Sequence, residues 1–122
     1  MAQFSHLPIY KKAYDLALFI HRFAVVLPRE HRYTFGAKLK ESGLCLLLLI
    51  IRANSRREKS TILEDTSEEL EKLKILIRLG RDLEIIGMKK YEECARLFEE
   101  IGKQLGGWIK SQSRNKNISA GI

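Results

Sequence analysis

The chain has 122 residues and a mass of 14.1 kDa, enough for one sizeable core but not for two. Its 45% hydrophobic and 30% charged residues exclude a disordered composition, and its 2 prolines and 8 glycines argue against many short strands. The net charge of +7 favours a polyanionic partner over an acidic scaffold.

The first predicted helix begins at Pro8, because the missing N–H of proline costs no hydrogen bond in a first helical turn. Pro28 disfavours the helical conformation at Leu27 and ends the helix, and residues 29–32 then form a short basic turn. The apolar residues of this helix recur at helical spacing: Ile9, Ala13, Leu16, Ala17, Ile20, Phe23, Ala24 and Leu27.

The second predicted helix opens near Tyr33 or Thr34, with Thr34 as a suitable N-cap, and runs to about Asn54. Its centre, residues 44–51, is apolar all round, and such a helix must be covered all round. An isolated antiparallel bundle would leave one face of it in water, so we predict an oligomer. The alternative is a helix wrapped by long neighbouring side chains. The predicted interface residues are Leu44, Leu47, Leu48 and Ile51.

The third predicted helix follows a polar linker, residues 55–60. Ser60 or Thr61 is a suitable cap for it, and a later start after Ser67 fits the acids that follow. Gly87 is predicted to end it as a C-cap. Its core stripe is predicted to include Leu70, Leu73, Ile77, Gly80 and Glu84, with Arg81 placed to pair with Glu84.

The fourth predicted helix spans about residues 88–110 and has the clearest apolar stripe. The stripe comprises Tyr91, Cys94, Ala95, Phe98, Ile101, Leu105, Trp108 and Ile109. Residues 111–122 lack periodicity and are predicted to be a flexible basic tail, separate from a bundle of residues 1–110. The fold class is therefore all-α, an antiparallel up-down-up-down four-helix bundle. The alternative is a three-helix domain whose first helix is exchanged onto a partner subunit.

No enzyme motif occurs in the sequence: there is no Walker-type glycine-rich loop, no GxSxG and no HExxH. Cys45 and Cys94 lie in apolar stretches, which predicts two buried reduced thiols. The 3 histidines have no ligand spacing, so we expect no metal, no cofactor and no small-molecule substrate. No signal-peptide pattern occurs, and the longest apolar run is too short for a membrane span, which predicts a cytoplasmic protein.

The positive charge is concentrated in the first half, where residues 1–60 hold 11 Lys+Arg against 4 Asp+Glu. Residues 61–110 hold 9 against 11. An oligomer would repeat any basic row and so hold nucleic-acid phosphates without reading their sequence. The alternative for each row is a solvated helix face. The candidate residues are Arg29, Arg32 and Lys38, then Arg52, Arg56 and Arg57, then Lys74, Arg78 and Arg81; the candidates for base stacking are Tyr10, Tyr14 and Tyr33.

Three segments carry a resemblance to a known family: LPREHRYTFG at residues 27–36, LKILIRL at 73–79 and IGKQLGGWI at 101–109. They resemble the Avd family, the accessory variability proteins of diversity-generating retroelements, over about residues 8–112. The resemblance implies a non-catalytic bundle that forms a pentameric barrel and binds a reverse transcriptase, RNA and DNA. It further implies support for copying of the template RNA in mutagenic retrohoming.

The alternative relatives are the four-helix-bundle proteins encoded in intervening sequences of bacterial large-subunit rRNA genes. They share the same segments, and they would imply a structural or protein-binding oligomer. The many acids of the third and fourth helices are a departure from a continuous basic surface.

Overall fold

A computed structural model describes the backbone of residues 3–121 and the side chains of residues 3–114. Four long helices, α1 (Pro8–Ala24), α3 (Phe35–Ser55), α4 (Ser60–Asp82) and α5 (Met88–Gly121), are joined by short links, and α2 (Arg29–Arg32) forms a single turn between the first two. No strand occurs in residues 3–121, so the all-α fold class is confirmed. None of the helices described there has the length and apolar character needed to cross a membrane.

The long helices pack in a closed square, in which α1 and α4 each contact both α3 and α5. Phe35 at the start of α3 lies against Gly80 near the end of α4, whereas Asn54 at the end of α3 bonds to Gln3 before α1. The neighbours of α3 therefore run antiparallel to it, as in a four-helix bundle. Helix α1 packs against α3 and α5 of its own chain, whereas the alternative prediction places the first helix on a partner subunit.

The core is formed by the predicted stripes of all four long helices. The predicted stripe from Ile9 to Leu27 is buried throughout, although α1 itself ends at Ala24. In α5, Leu97 is buried and the predicted stripe residues Ala95 and Ile109 are exposed. A polar contact joins α3 to α4: Ser42 Oγ donates to Glu69 Oε2 at 2.5 Å. The fully buried large aliphatic side chains are Leu16, Ile20, Leu39, Leu46, Ile50, Leu63, Leu73, Ile77 and Ile101.

The turn between α4 and α5 differs from the prediction. Helix α4 ends at Asp82, and the residue in the left-handed conformation is Glu84, with φ 61°, rather than Gly87. The carbonyl of Gly80 accepts the N–H groups of Ile85 at 2.8 Å and Ile86 at 3.0 Å, which closes the helix one turn earlier than expected. Glu84 is therefore exposed in this turn and not part of the core stripe.

Two helix starts also differ in detail. Thr34 occupies the N-cap position of α3 but makes no side-chain cap, because its hydroxyl donates to the Glu30 carbonyl at 3.4 Å. Helix α4 begins at Ser60, which excludes the later start after Ser67, and its N-cap residue is Lys59. The Ser60 N–H donates to Glu58 Oε1 at 2.9 Å, so a glutamate side chain satisfies an orphan donor there.

Helix α5 continues to Gly121, beyond the predicted end at residue 110. The segment after residue 110 contains no proline, and its first glycine is Gly121, so no strong helix breaker interrupts the helix. The backbone of residues 111–121 is thus helical where the sequence predicted an irregular tail. Ile122 lies outside the described residues, and the flexibility of the tail stays a prediction.

Candidate nucleic-acid interface

One end of the bundle, which we call the basic end, combines three parts of the chain: residues 3–8, 52–60 and 104–114. Asn54 Nδ2 donates to the Gln3 carbonyl at 2.8 Å, which fixes the N-terminal segment against the end of α3. The Lys59 ammonium lies 5.9 Å from the centroid of the Trp108 ring, which brings α5 to the same place. This end therefore gathers the basic linker and the second half of α5 around the start of α1.

Lys59 has a structural role at the basic end. Its Nζ donates to the carbonyls of Ala53 at 2.6 Å and Asn54 at 3.5 Å, and also to that of Arg56. These carbonyls lie at the C-terminus of α3, where the helix has no further N–H groups to offer and where its dipole favours a cation. Lys59 thus holds the linker in place, and the arginines beside it are left to face outward.

Arg52, Arg56 and Arg57 are exposed, and within the described part of the chain no ion pair joins any of them to an acid. Their positions follow from the sequence: Arg52 lies in the last turn of α3, and the other two lie in the linker that follows. Three uncompensated guanidinium groups within six residues are suited to bidentate contacts with phosphate.

The candidates around α2 lie at the opposite end of the bundle and serve in part as structural groups. Arg32 Nε and Nη2 donate to the Leu27 carbonyl at 3.3 and 3.1 Å, so this arginine holds the link between α1 and α2. Arg29 and Lys38 are exposed. This end therefore offers two cations that face solvent and one that is already bonded to the backbone.

The basic row of α4 is paired with acids of the same helix. Lys74 lies 3.1 Å from Glu71, Arg78 4.0 Å from Asp82 and Arg81 3.0 Å from Asp82. Surface pairs of this kind contribute little stability, but they offset the local charge. Arg81 bonds to Asp82 instead of to the predicted Glu84, and its guanidinium stacks 4.3 Å from the Tyr91 ring centroid.

The outer face of α5 is a network of paired charges. Arg96 bonds to both Glu93 and Glu100, and Lys12 of α1 lies 2.9 Å from Glu100. The hydrogen bond from Lys12 holds the pKa of Glu100 below its ordinary value, and the bond from Arg96 does the same for the pKa of Glu93. This face therefore presents no free positive field to a polyanion.

The predicted oligomer residues of α3 divide into two sets. Leu44 and Leu48 are 47% and 45% exposed, and Ile51 is half-buried, so these three form an apolar row on the outside of the helix. Leu47 is only 8% exposed and packs in the core of its own chain, because it lies on the side of α3 that faces the bundle interior. The exposed row is thus narrower than predicted, and its contact with a second subunit stays a prediction.

The two cysteines differ in environment. Cys94 is buried as predicted, and burial raises the pKa of its thiol to about 12. Cys45 is exposed, which corrects the prediction of two buried thiols, because its position on α3 is on the outer side next to Leu44. Among the described residues, no group of His, Cys, Asp or Glu is arranged to hold a metal ion.

One feature of the basic end was only partly visible in the sequence. The rings of Phe4, Tyr10 and Tyr14 form a continuous row, with centroids separated by 5.0 and 6.0 Å. Tyr10 and Tyr14 are four residues apart and were candidates for stacking, but Phe4 precedes the helix and carried no periodic signal. Only the bond between Gln3 and Asn54 shows why this segment lies beside α3.

A protein-family model described as bAvd-like matches residues 7–112 of the chain. The match spans most of the bundle and includes all three segments that carry the resemblance to the Avd family, which is thereby confirmed. A comparison with curated proteins gives no match.

Proposed function

Since the chain belongs to the bAvd-like family, we propose that it is a non-catalytic accessory protein of a diversity-generating retroelement. In this role it binds the reverse transcriptase of the element together with nucleic acid. It supports copying of the template RNA during mutagenic retrohoming and supplies no reacting group of its own.

The observation that carries the nucleic-acid part of the proposal is the uncompensated charge of the basic end. Arg52, Arg56 and Arg57 are exposed and unpaired in the described part of the chain, whereas the basic row of α4 is paired with acids. Cations without acid partners release the condensed counterions of a nucleic acid when they contact its phosphates, and this release drives binding. The expected contacts are with the backbone and independent of base sequence.

Assembly strengthens the same argument. The net charge of +7 on one chain is moderate, but a pentamer repeats the basic end five times and multiplies the field. Leu44 and Leu48 supply the exposed apolar surface that such a subunit contact needs. In this proposal the outer row of α3 joins the subunits. The remaining cations, Arg29, Arg32, Lys38, Lys74, Arg78 and Arg81, extend the surface offered to the polymerase.

The test is binding to RNA, DNA and hybrid duplex at several salt concentrations, with and without the reverse transcriptase of the same element. Each phosphate contact on duplex DNA contributes about 0.9 to the slope of log K against log salt, so three contacts predict a slope near −2.7. Co-purification of the polymerase after nuclease treatment tests the protein partner. No binding at about 100 mM salt, or a flat salt slope, would contradict the nucleic-acid part of the proposal.

The alternative is an oligomer with a structural or protein-binding role, which is what a resemblance to the intervening-sequence proteins would imply. The observation in its favour is the network of paired charges on α5, where Arg96, Glu93 and Glu100 leave no free positive field. It predicts capture of a protein partner that survives both nuclease and high salt, with no nucleic acid retained.

A further inference from the structure

The row of Phe4, Tyr10 and Tyr14 ends in a ring that is open to solvent. Phe4 and Tyr10 are half-buried and pack at 5.0 Å, and Tyr10 contacts Tyr14 at 6.0 Å, with an angle of 37° between their planes. Tyr14 itself is 48% exposed. Tyr10 therefore supports the Tyr14 ring on one side, and the exposed part of the Tyr14 ring is free to stack with another planar group.

Cations without acid partners lie near both ends of this row in the described part of the chain. Lys11 is exposed and lies three residues before Tyr14, so the two share one face of α1. Phe4 follows the residue that bonds to Asn54, and Arg56 comes just beyond the end of α3, two residues after Asn54. Arg52 is not included, because residues two apart in a helix point to different sides. The row thus runs from Arg56 at the end of α3 to Lys11 on α1.

We propose that this surface binds a single strand of RNA or DNA, with a base stacked on Tyr14 and with phosphates held by Lys11 and Arg56. The inference rests on the proposed function and names the form of its nucleic-acid ligand. A single strand is favoured because its bases offer a free face to an aromatic ring, whereas the bases of a duplex stack on one another.

Charge opposes a two-fold contact between two copies of the chain through this surface, because that contact would place Lys11 and Arg56 of one subunit beside the same cations of the other. The repulsion between like charges opposes that contact, whereas a phosphate strand neutralises them. The apolar row of Leu44 and Leu48 remains available for subunit contacts.

The experiment compares two labelled oligonucleotides of equal length by fluorescence anisotropy at one fixed salt concentration. One is oligo(dT), and the other is the same sugar–phosphate chain without bases. Both carry the same charge, so a difference in affinity reports stacking. We expect wild type to bind oligo(dT) at least about fivefold more tightly, the lower limit for one base stacked on an aromatic side chain.

Four variants complete the test. Tyr14→Ala should lower the affinity for oligo(dT) to that for the abasic strand and leave abasic binding unchanged, and Tyr14→Phe should behave as wild type. Ile75→Ala is the matched control, because it removes an apolar side chain that is 65% exposed and lies on α4, outside the proposed surface. It should bind both strands as wild type does. Arg56→Gln should weaken binding of both strands equally.

Equal affinity of wild type for the two strands would overturn the stacking inference but leave salt-dependent backbone binding, and hence the proposed function, intact. A flat salt slope with both strands would contradict both. Light scattering on Tyr14→Ala tests whether a second subunit, rather than a nucleic-acid strand, covers Tyr14. A lower mass with native helicity would show that a second subunit covers Tyr14, and this result would also overturn the inference.

Discussion

The close approach of α3 and α4 at Gly80 can be tested by adding one methyl group. A Cβ at this position would lie 2.6 Å from Ile86 Cδ1 and 2.8 and 2.9 Å from two atoms of the Phe35 ring, whereas carbon atoms pack at about 3.5–4.0 Å. Overpacking of this kind costs about 1–3 kcal/mol, and the better helix propensity of alanine returns about 1 kcal/mol. We expect Gly80→Ala to lower the free energy of unfolding by about 1 kcal/mol.

Gly102→Ala is the matched control, because a Cβ there meets no atom within 4 Å. The same chemical change should stabilise the protein by up to about 1 kcal/mol, which places the two variants about 2 kcal/mol apart. Urea denaturation followed by circular dichroism at a fixed protein concentration measures both, since the stability of an oligomer depends on concentration. If Gly80→Ala were as stable as Gly102→Ala, Phe35 and Ile86 would not be packed against Gly80.

Three further predictions concern the exposed row of α3, the turn after α4 and the thiols. Leu48→Glu should reduce the mass measured by light scattering while the chain stays helical, whereas Leu47→Glu should unfold it; a monomeric wild type would contradict the predicted assembly. Glu84→Gly should raise the free energy of unfolding by about 1 kcal/mol, because a side chain in the left-handed region costs about 1–2 kcal/mol, and an unchanged midpoint would argue against that conformation. A maleimide at neutral pH should label Cys45 in the folded protein but label Cys94, whose pKa is raised to about 12, only after unfolding; equal labelling of both would place Cys94 at the surface.

The free energy of unfolding should also depend on pH through Cys94, and the same unfolding assay measures this dependence. Its pKa is near 12 in the folded state and about 8.5 in an unfolded chain, so the unfolded state loses its proton first as the pH rises. The contribution of the protonated Cys94 thiol to the free energy of unfolding is therefore fully present below about pH 8.5 and decreases above it. A Cys94→Ala variant should lose stability less steeply than wild type between about pH 8.5 and pH 10.

The fold was predictable from periodicity because each long helix buries one stripe. Pro8 marked the start of the first helix, and the stripe from Ile9 to Leu27 is buried as expected, but α1 ends at Ala24, three residues before the end predicted from Pro28. The turn after α4 was harder to predict. Gly87 is the residue type expected just after a helix, but Glu84 is the residue that adopts the left-handed conformation. The choice between them depends on how Gly80 packs against α3, which is a tertiary contact and not a local signal.

The basic residues of the candidate site could be predicted from the sequence, but the groups with which they pair could not. The sequence shows Arg52, Arg56 and Lys59 as one basic group, yet only the structure separates the two exposed arginines from the lysine that caps α3. Helical spacing likewise placed Lys74 and Arg78 on one face without showing that Lys74 pairs with Glu71 and that Arg78 shares Asp82 with Arg81. Which cations remain free depends on the rotamers of neighbouring acids, and a sequence pattern does not specify these.

The most direct test of the central claim, that free cations at the basic end bind nucleic-acid backbone, compares two double variants by the salt dependence of duplex DNA binding. Arg56→Gln with Arg57→Gln removes two unpaired charges, and Lys74→Gln with Arg96→Gln removes two that are each paired with separate acids. We expect the first variant to reduce the slope of log K against log salt by about 1.8, and the second to leave it nearly unchanged. An unchanged slope in the first variant, or an equal reduction in both, would contradict the claim.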